Sequence, residues 1–146
     1  MKIALASDHR GYNLKKELIN HLKTKYEILD LGTNSTESVD FPKYGILLGE
    51  TIRDKKADLG IAICGTGIGI SIAANKVKNV MCAKIDSIND AKLAKEHNHA
   101  NVLALRGDLK PKKALKMIEI FLNAKENYEE KYQRRINEIK DYDHAR

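Results

Sequence analysis

The chain has 146 residues, the size of one ordinary domain, and its 42% hydrophobic and 32% charged residues exclude a disordered protein. No apolar run approaches the roughly 18 residues of a membrane span, and the start of the chain lacks a signal-peptide pattern, so we expect a soluble, cytoplasmic protein. The formal net charge is +6, and the two cysteines, without a CxxC spacing, indicate neither a disulfide framework nor a zinc knuckle.

Apolar runs alternate with amphipathic stretches along the whole chain. They predict strands over 2–7, 26–31, 58–63, 79–84 and 101–105. They predict helices over 12–24, 42–54, 68–76, 86–97, 111–123 and 127–141. Five βα repeats with short connections predict a single α/β domain over 1–146, in which a five-stranded parallel sheet has helices on both faces.

Residues with acid–base or anion-binding chemistry stand next to the predicted strands. Asp8 and His9 follow the first strand, residues 64–71 follow the third, and His97 and Asn98 come just before the fifth. Ligands of parallel sheets bind at the carboxyl ends of the strands. We therefore expect these three segments to converge on one site.

The segment after the third strand is a glycine-rich turn that opens a helix. Its glycines are Gly65, Gly67 and Gly69, a GxGxG spacing that matches neither the dinucleotide fingerprint nor a P-loop. Such a turn can direct backbone N–H groups at another anion, such as a developing oxyanion on a small substrate. A tight strand–helix turn without a ligand is the alternative.

Cysteine and histidine supply the candidate proton-transfer groups. Cys64 precedes the helix N-terminus, which favours a thiolate that could act as base or nucleophile; the alternative is a small buried side chain at a strand end. Cys82 lies within an apolar strand and is expected to be core. His9 and His97 suit proton transfer near neutral pH, and the alternative is a surface role. We expect no metal site, because His97 and His99 would point apart at a helix end.

Several separated motifs resemble those of the type B ribose-5-phosphate isomerase family, which also includes the galactose-6-phosphate isomerase subunits. They are, in order, Asp8-His9-x-Gly11, Gly32-Thr33, Asp40-Phe41-Pro42, Cys64-Gly-Thr-Gly-Ile-Gly, Ala74-Asn75-Lys76 and His97-Asn98…Ala100-Asn101-Val102-Leu103. The resemblance covers essentially the whole chain. It implies a Rossmann-like three-layer α/β/α subunit and a homodimer or homotetramer whose C-terminal helix is exchanged across the dimer interface. It also implies active sites shared between subunits, without metal or organic cofactor.

The activity that the resemblance implies is the interconversion of D-ribose 5-phosphate and D-ribulose 5-phosphate in the non-oxidative branch of the pentose phosphate pathway. Cys64 matches the base that moves a proton between C1 and C2 through an enediolate, since Ile70 replaces the carboxylate that some members use. Residues 65–69 match the anion hole, with Thr66 next to the base. His97 matches the residue that opens the furanose ring.

The family's remaining roles fall on residues that would bind the sugar or its phosphate. Asp8, His9 and Asn98 match such contacts. Arg135 matches a phosphate-binding arginine that reaches the partner subunit's site, and Lys131 takes the place of a second arginine on the same helix. Lysine keeps the charge but lacks the bidentate geometry of arginine.

The chain departs from the family pattern at two further positions. Asp108 stands where an arginine is usual, and His99 stands where Asp or Asn is usual. Three arginines near the expected site in sequence could restore the missing charge, and they are Arg10, Arg106 and Arg134.

The preferred sugar therefore stays open. The galactose 6-phosphate branch lacks either the His97–Asn98 pair or the Cys64 motif, so the pentose is favoured; allose 6-phosphate and a tetrose phosphate are alternatives. A non-catalytic sugar-phosphate sensor is an alternative of another class. The lysines over 110–116 and 131–140 alternate with Glu and apolar residues as on a solvated helix, so we expect no nucleic-acid or membrane partner.

Overall fold

Five parallel strands form one sheet in the computed structural model, which describes residues 1–146. The strands are, in chain order, β1 (Lys2–Ser7), β2 (Glu27–Asp30), β3 (Leu59–Cys64), β4 (Cys82–Lys84) and β5 (Val102–Arg106). The helices are α1 (Tyr12–Leu22), α2 (Phe41–Arg53), α3 (Ile68–Asn75), α4 (Ile88–Glu96), α5 (Pro111–Asn123) and α6 (Glu130–Ala145). The order across the sheet is β2-β1-β3-β5-β4, with β3 at the centre. No helix combines the length and the apolar surface that crossing a membrane requires.

Helices cover both faces of the sheet because successive strand residues point to opposite sides. In β3, Ile61 and Ile63 pack with apolar side chains of α1, α4 and α5 on one face. Ala62 and Cys64 pack with side chains of α2 and α3 on the other face. The predicted Rossmann-like α/β/α architecture is confirmed.

Glycines let α2 and α3 approach each other closely on the second face. A Cβ on Gly45 would lie 2.8 Å from the Cβ of Ala73, and a Cβ on Gly49 would lie 2.7 Å from Cγ2 of Val77. Such distances leave no room for a larger residue on α2. The close packing holds α3, and with it the turn that precedes α3, in a fixed position at the end of β3.

Two elements differ from their predictions by three or more residues at one or both ends, and the ends of the other elements agree within two residues. β4 covers only 82–84 of the predicted 79–84: Asn79 has a φ of +67°, which a strand does not adopt, and the Met81 N–H donates to the Asn101 side chain at 2.8 Å. The last helix begins at Glu130 instead of 127, because residue 127 is hydrogen-bonded to the end of α4. Side-chain and tertiary hydrogen bonds of this kind do not show in apolar periodicity.

Candidate active site

The turn between β3 and α3 is shaped by glycines at positions where a side chain has no room. Gly67 has a φ of +76°, and a Cβ there would lie 3.0 Å from the carbonyl carbon of Leu105. A Cβ on Gly69 would lie 2.7 Å from the ring of Phe41. With Gly65, these residues form one turn at the start of α3, where the first backbone N–H groups have no acceptor within the helix and turn to side chains or a ligand instead.

Cys64 ends β3 directly before this turn, and only 4% of the residue is exposed. Its Sγ accepts the N–H of Gly67 at 3.2 Å. An N–H donor and a helix N-terminus both stabilise negative charge on sulfur, so the geometry suits a thiolate base. Cys82 is on edge strand β4 and makes no such contact; burial raises the pKa of its thiol to about 12, so this side chain stays protonated at neutral pH.

Thr66 occupies the exposed tip of the turn, between Cys64 and α3. Its Oγ1 accepts the backbone N–H of Ile68 at 3.1 Å. Because a hydroxyl can accept and donate at once, this hydrogen bond orients the oxygen and leaves the hydroxyl proton available for a ligand oxygen. The catalytic role of Thr66 beside the candidate base stays a prediction.

Asp8 organises the loop that follows β1, on the same edge of the sheet as Cys64. Its buried carboxylate accepts the N–H groups of Arg10 at 2.9 Å and Gly11 at 3.1 Å through Oδ1. A Cβ on Gly11 would lie 2.5 Å from the Ile63 carbonyl oxygen, so the loop rests directly on β3. Asp8 thus holds the backbone next to the glycine turn.

His9 is half-buried beside Asp8, and its ring orientation is set by the segment before α2. The Val39 N–H donates to Nδ1 of His9 at 3.2 Å. A nitrogen that accepts a hydrogen bond carries no proton, so the neutral ring carries its proton on Nε2. His9 can therefore donate from Nε2 to an oxygen of a ligand.

His97 and Asn98 lie where the strands begin, at the end of the sheet that we call the amino edge; Cys64 lies where the strands finish, at the carboxyl edge. The expected convergence of the three segments is therefore wrong within one chain. Cys64 is in register with Arg106 at the end of β5, whereas β5 begins at Val102, about 13 Å away along the strand. Helix α4 runs antiparallel to the strands and returns the chain to their amino ends. His97, which follows α4 and precedes Val102, therefore lies at the amino edge. The structure brings Asp8, His9 and the glycine turn together and leaves His97 and Asn98 apart from them.

At this amino edge, His97 is held by a stacked aromatic neighbour that sequence reasoning missed. The rings of His97 and Tyr132 are 4.6 Å apart at their centroids and nearly parallel, with an interplanar angle of 14°. Asn98 lies close by and lines a cavity of about 320 Å³ together with Ile139 of α6. The stack fixes α6 against the end of α4.

His99 anchors the segment that leads into α6. Its ring donates from Nε2 to the carbonyl of Asn127 at 2.9 Å, and its Nδ1 lies 3.4 Å from a Glu126 carboxylate oxygen. The ring is nearly buried, and its backbone φ is +49°. No group of three or more His, Cys, Asp or Glu side chains is arranged to hold a metal ion.

The chain has six arginines, and most of them are already paired with a carboxylate. Ion pairs occupy Arg53, Arg106, Arg134 and Arg146. Arg10 and Arg135 have no carboxylate partner; Arg10 lies at the carboxyl edge beside the glycine turn, and Arg135 is exposed on α6. Lys131, one turn before Arg135, is exposed and lies over the Tyr132 ring.

A Rossmann-like sheet with a cysteine and a glycine-rich turn at the end of its central strand places the chain among small α/β proteins of the kind whose ligands bind at the carboxyl ends of the strands. Within that class, residues 3–139 match the sequence model of the family described as Ribose/Galactose Isomerase. The chain belongs to this family, and the resemblance noted from its motifs is confirmed.

Relatives and solved structures of this family are similar over nearly the whole chain. The chain is 42% identical to the probable ribose-5-phosphate isomerase B of Mycoplasma genitalium over 97% of its own length and 95% of the relative's. It superposes on a Clostridium thermocellum ribose-5-phosphate isomerase B with a TM-score of 0.94 at 41% identity, covering 99% of both chains. A Mycoplasma genitalium ribose-5-phosphate isomerase B with bound ribulose-5-phosphate is 40% identical, with a TM-score of 0.90 over 99% of this chain and 97% of that one.

Proposed function

We propose that the protein is an aldose–ketose isomerase that interconverts D-ribose 5-phosphate and D-ribulose 5-phosphate. The observation that carries this proposal is the geometry of Cys64, whose Sγ faces the N–H of Gly67 at the start of the anion-binding turn. Family membership, and relatives that carry the name of this activity, favour the pentose substrate. We further propose that it acts in the cytoplasm, in the non-oxidative branch of the pentose phosphate pathway.

The proposed reaction uses only protein groups. The Cys64 thiolate removes the proton from C2 of the open-chain aldose, the C1–C2 double bond forms, and the electron pair of the carbonyl moves onto O1. Those backbone N–H groups of the turn 65–69 that Cys64 and Thr66 do not already engage stabilise the charge of this enediolate, and such a donor is worth roughly 3 kcal/mol in related cases. Thr66 passes a proton between O2 and O1, and the Cys64 thiol returns its proton to C1 to give the ketose.

We propose that two copies of the chain complete each active site. Cys64 and His97 lie at opposite edges of one sheet, so the ring-opening role of His97 requires a partner subunit. The outer side of α3 leaves Ile68 and Ile72 more than half exposed, and apolar side chains of this size are suited to an interface. In such a homodimer, His97, Asn98, Lys131 and Arg135 of one copy line the site that holds Asp8, His9 and Cys64 of the other.

The activity is tested with a panel of pentose, hexose and tetrose phosphates, compared by kcat/KM for the wild type and Cys64→Ala. We expect the highest kcat/KM with D-ribose 5-phosphate, and we expect Cys64→Ala to lower kcat about 1000-fold, as loss of a general base does. A hexose phosphate as the best substrate would change the assigned sugar. No turnover with any sugar phosphate would favour a non-catalytic sensor.

The shared site is tested by mixing two inactive variants, Cys64→Ala and His97→Ala. A heterodimer of these chains contains one site in which both residues are intact, so random subunit exchange restores about a quarter of wild-type activity. If both residues acted within one chain, every site would keep one defect and the mixture would stay inactive.

A further inference from the structure

The side chain of Arg10 lies across the glycine turn. A Cβ on Gly65 would lie 2.8 Å from Cδ and 3.3 Å from Nη1 of Arg10, so the guanidinium is beside the backbone that follows Cys64. Arg10 itself is exposed and has no ion-pair partner. The site therefore contains an unpaired, planar cation close to the candidate base.

The backbone of Arg10 is fixed from two sides, which holds the side chain at this place. Its N–H donates to the buried carboxylate of Asp8 at 2.9 Å. On the other side, a Cβ on Gly107 would lie 2.3 Å from the Arg10 carbonyl oxygen, so the turn after β5 packs directly on this peptide. Arg10 thus stands between the turns that follow β3 and β5.

Arg106 is the other arginine at this edge, and its guanidinium is already paired with a carboxylate. It is in register with Cys64, so both side chains are on the same face of the sheet. Its guanidinium, however, donates two hydrogen bonds to Asp108, from Nε at 2.6 Å and from Nη2 at 2.9 Å. These bonds lower the pKa of the Asp108 carboxyl, which stays ionised, so the two side chains form a pair without net charge.

We infer that Arg10 binds the phosphate group of the substrate in place of the arginine that position 108 lacks. An arginine presents two parallel N–H donors to a phosphate, which gives affinity together with orientation. Among the three arginines that could restore the missing charge, Arg106 is paired with Asp108 and Arg134 is paired with Glu130. This assignment rests on the proposed function, and it makes Arg10 a residue that determines how tightly a phosphosugar is held.

The assignment is tested with Arg10→Gln and Arg10→Lys, with Arg106→Gln as the neighbouring control and Arg53→Gln as the remote control. KM and kcat are measured with D-ribose 5-phosphate, and the affinity for inorganic phosphate is measured by calorimetry. We expect Arg10→Gln to raise KM and to lower phosphate affinity, each about 10-fold or more, with kcat within about threefold of wild type. Arg10→Lys should have a KM and a phosphate affinity between those of wild type and Arg10→Gln, because lysine keeps the charge but lacks two parallel N–H donors.

Both control variants should change KM and phosphate affinity by less than about twofold, since their guanidinium groups are paired with carboxylates. Unchanged phosphate affinity in Arg10→Gln would overturn the assignment, and so would an equal loss in Arg106→Gln. A fall in kcat alone would place Arg10 at the reacting end of the sugar and would also overturn it. If the wild type isomerises no sugar phosphate, the proposed function fails, whereas phosphate binding that is lost in Arg10→Gln still supports the role of Arg10.

Discussion

The two edges of the sheet carry the candidate site residues in different ways. At the carboxyl edge, the backbone forms the site: Gly67 has a positive φ, and Cys64 is oriented by a main-chain N–H. At the amino edge, side chains hold one another, as in the stack of His97 on Tyr132. A site formed by backbone fails where an added side chain would force the backbone to move, whereas a site formed by side chains tolerates replacements that keep the contacting surface.

Gly67→Ala should break the carboxyl edge and cause the largest effect. A left-handed conformation is strained for alanine, and its Cβ would press on the Leu105 carbonyl group at 3.0 Å. We expect stability to fall by about 2 kcal/mol, and kcat by about 100-fold or more, because the N–H groups of the turn move. Thermal unfolding and kcat with D-ribose 5-phosphate check both values.

Gly65→Ala is the matched control in the same turn. Its φ is not positive, and the added Cβ would meet only the flexible side chain of Arg10. We expect a kcat within about threefold of wild type and weaker phosphate affinity. A loss of kcat as large as that of Gly67→Ala would show that the comparison between backbone and side-chain construction is wrong.

His97→Ala should produce the next largest effect, and only with a substrate that forms a ring. D-Ribose 5-phosphate closes to a furanose, whereas D-erythrose 4-phosphate cannot, because its O4 is esterified. Loss of a general acid–base group should lower kcat/KM for the ribose phosphate about 100-fold and should affect the tetrose phosphate much less. Equal losses with both sugars would remove ring opening as the role of His97.

The positions of the strands could be predicted because buried apolar runs dominate them. β3 has all six residues buried, and the sequence pattern places its end within one residue. The same order of elements also contains the correct position of His97: in a parallel sheet, a residue that precedes a strand lies at the amino edge. The prediction that the three segments converge within one chain is wrong because it uses nearness to a strand end without the direction of the strand.

The charge arrangement around the site could not be predicted from sequence. Arg10, Arg106 and Arg134 were equal candidates to replace an arginine at position 108. Only the fold shows that Asp108 forms an ion pair with Arg106 and that the Arg10 side chain lies next to Gly65. Such contacts depend on where side chains of different elements meet in three dimensions, and neither periodicity nor motif spacing contains that information.

Tyr132→Ala should have a smaller effect than His97→Ala, because it removes the support of His97 and leaves the imidazole itself. An aromatic stack contributes about 1 kcal/mol, so we expect kcat with D-ribose 5-phosphate to fall about fivefold to tenfold. Tyr132→Phe keeps the ring and should stay within about twofold of wild type. A defect of equal size in both variants would mean that the phenol hydroxyl, and not the stack, is what matters.

Asp143→Asn should have the smallest effect, and it would show whether a charge also holds the amino edge. The Asp143 carboxylate accepts the Asn79 N–H at 2.7 Å and thereby joins the end of α6 to the segment before β4. This hydrogen bond, together with Arg146, lowers the pKa of Asp143 in the folded chain. A lowered folded-state pKa means that the carboxylate stabilises the fold above its ordinary pKa of about 4 and that this contribution is lost as the pH falls through the lowered value.

The wild type should therefore unfold at a slightly higher temperature than Asp143→Asn at pH 7, and the difference should shrink as the pH falls below about 4 and through the lowered pKa of Asp143. Thermal unfolding of both proteins between these pH values measures the difference. Because Asp143 contacts Asn79 and no residue of the glycine turn, kcat should be the same in both. A pH-independent difference would mean that the shape of the side chain, and not its charge, joins α6 to the amino edge, which would bring this contact closer in kind to the stack of His97 on Tyr132.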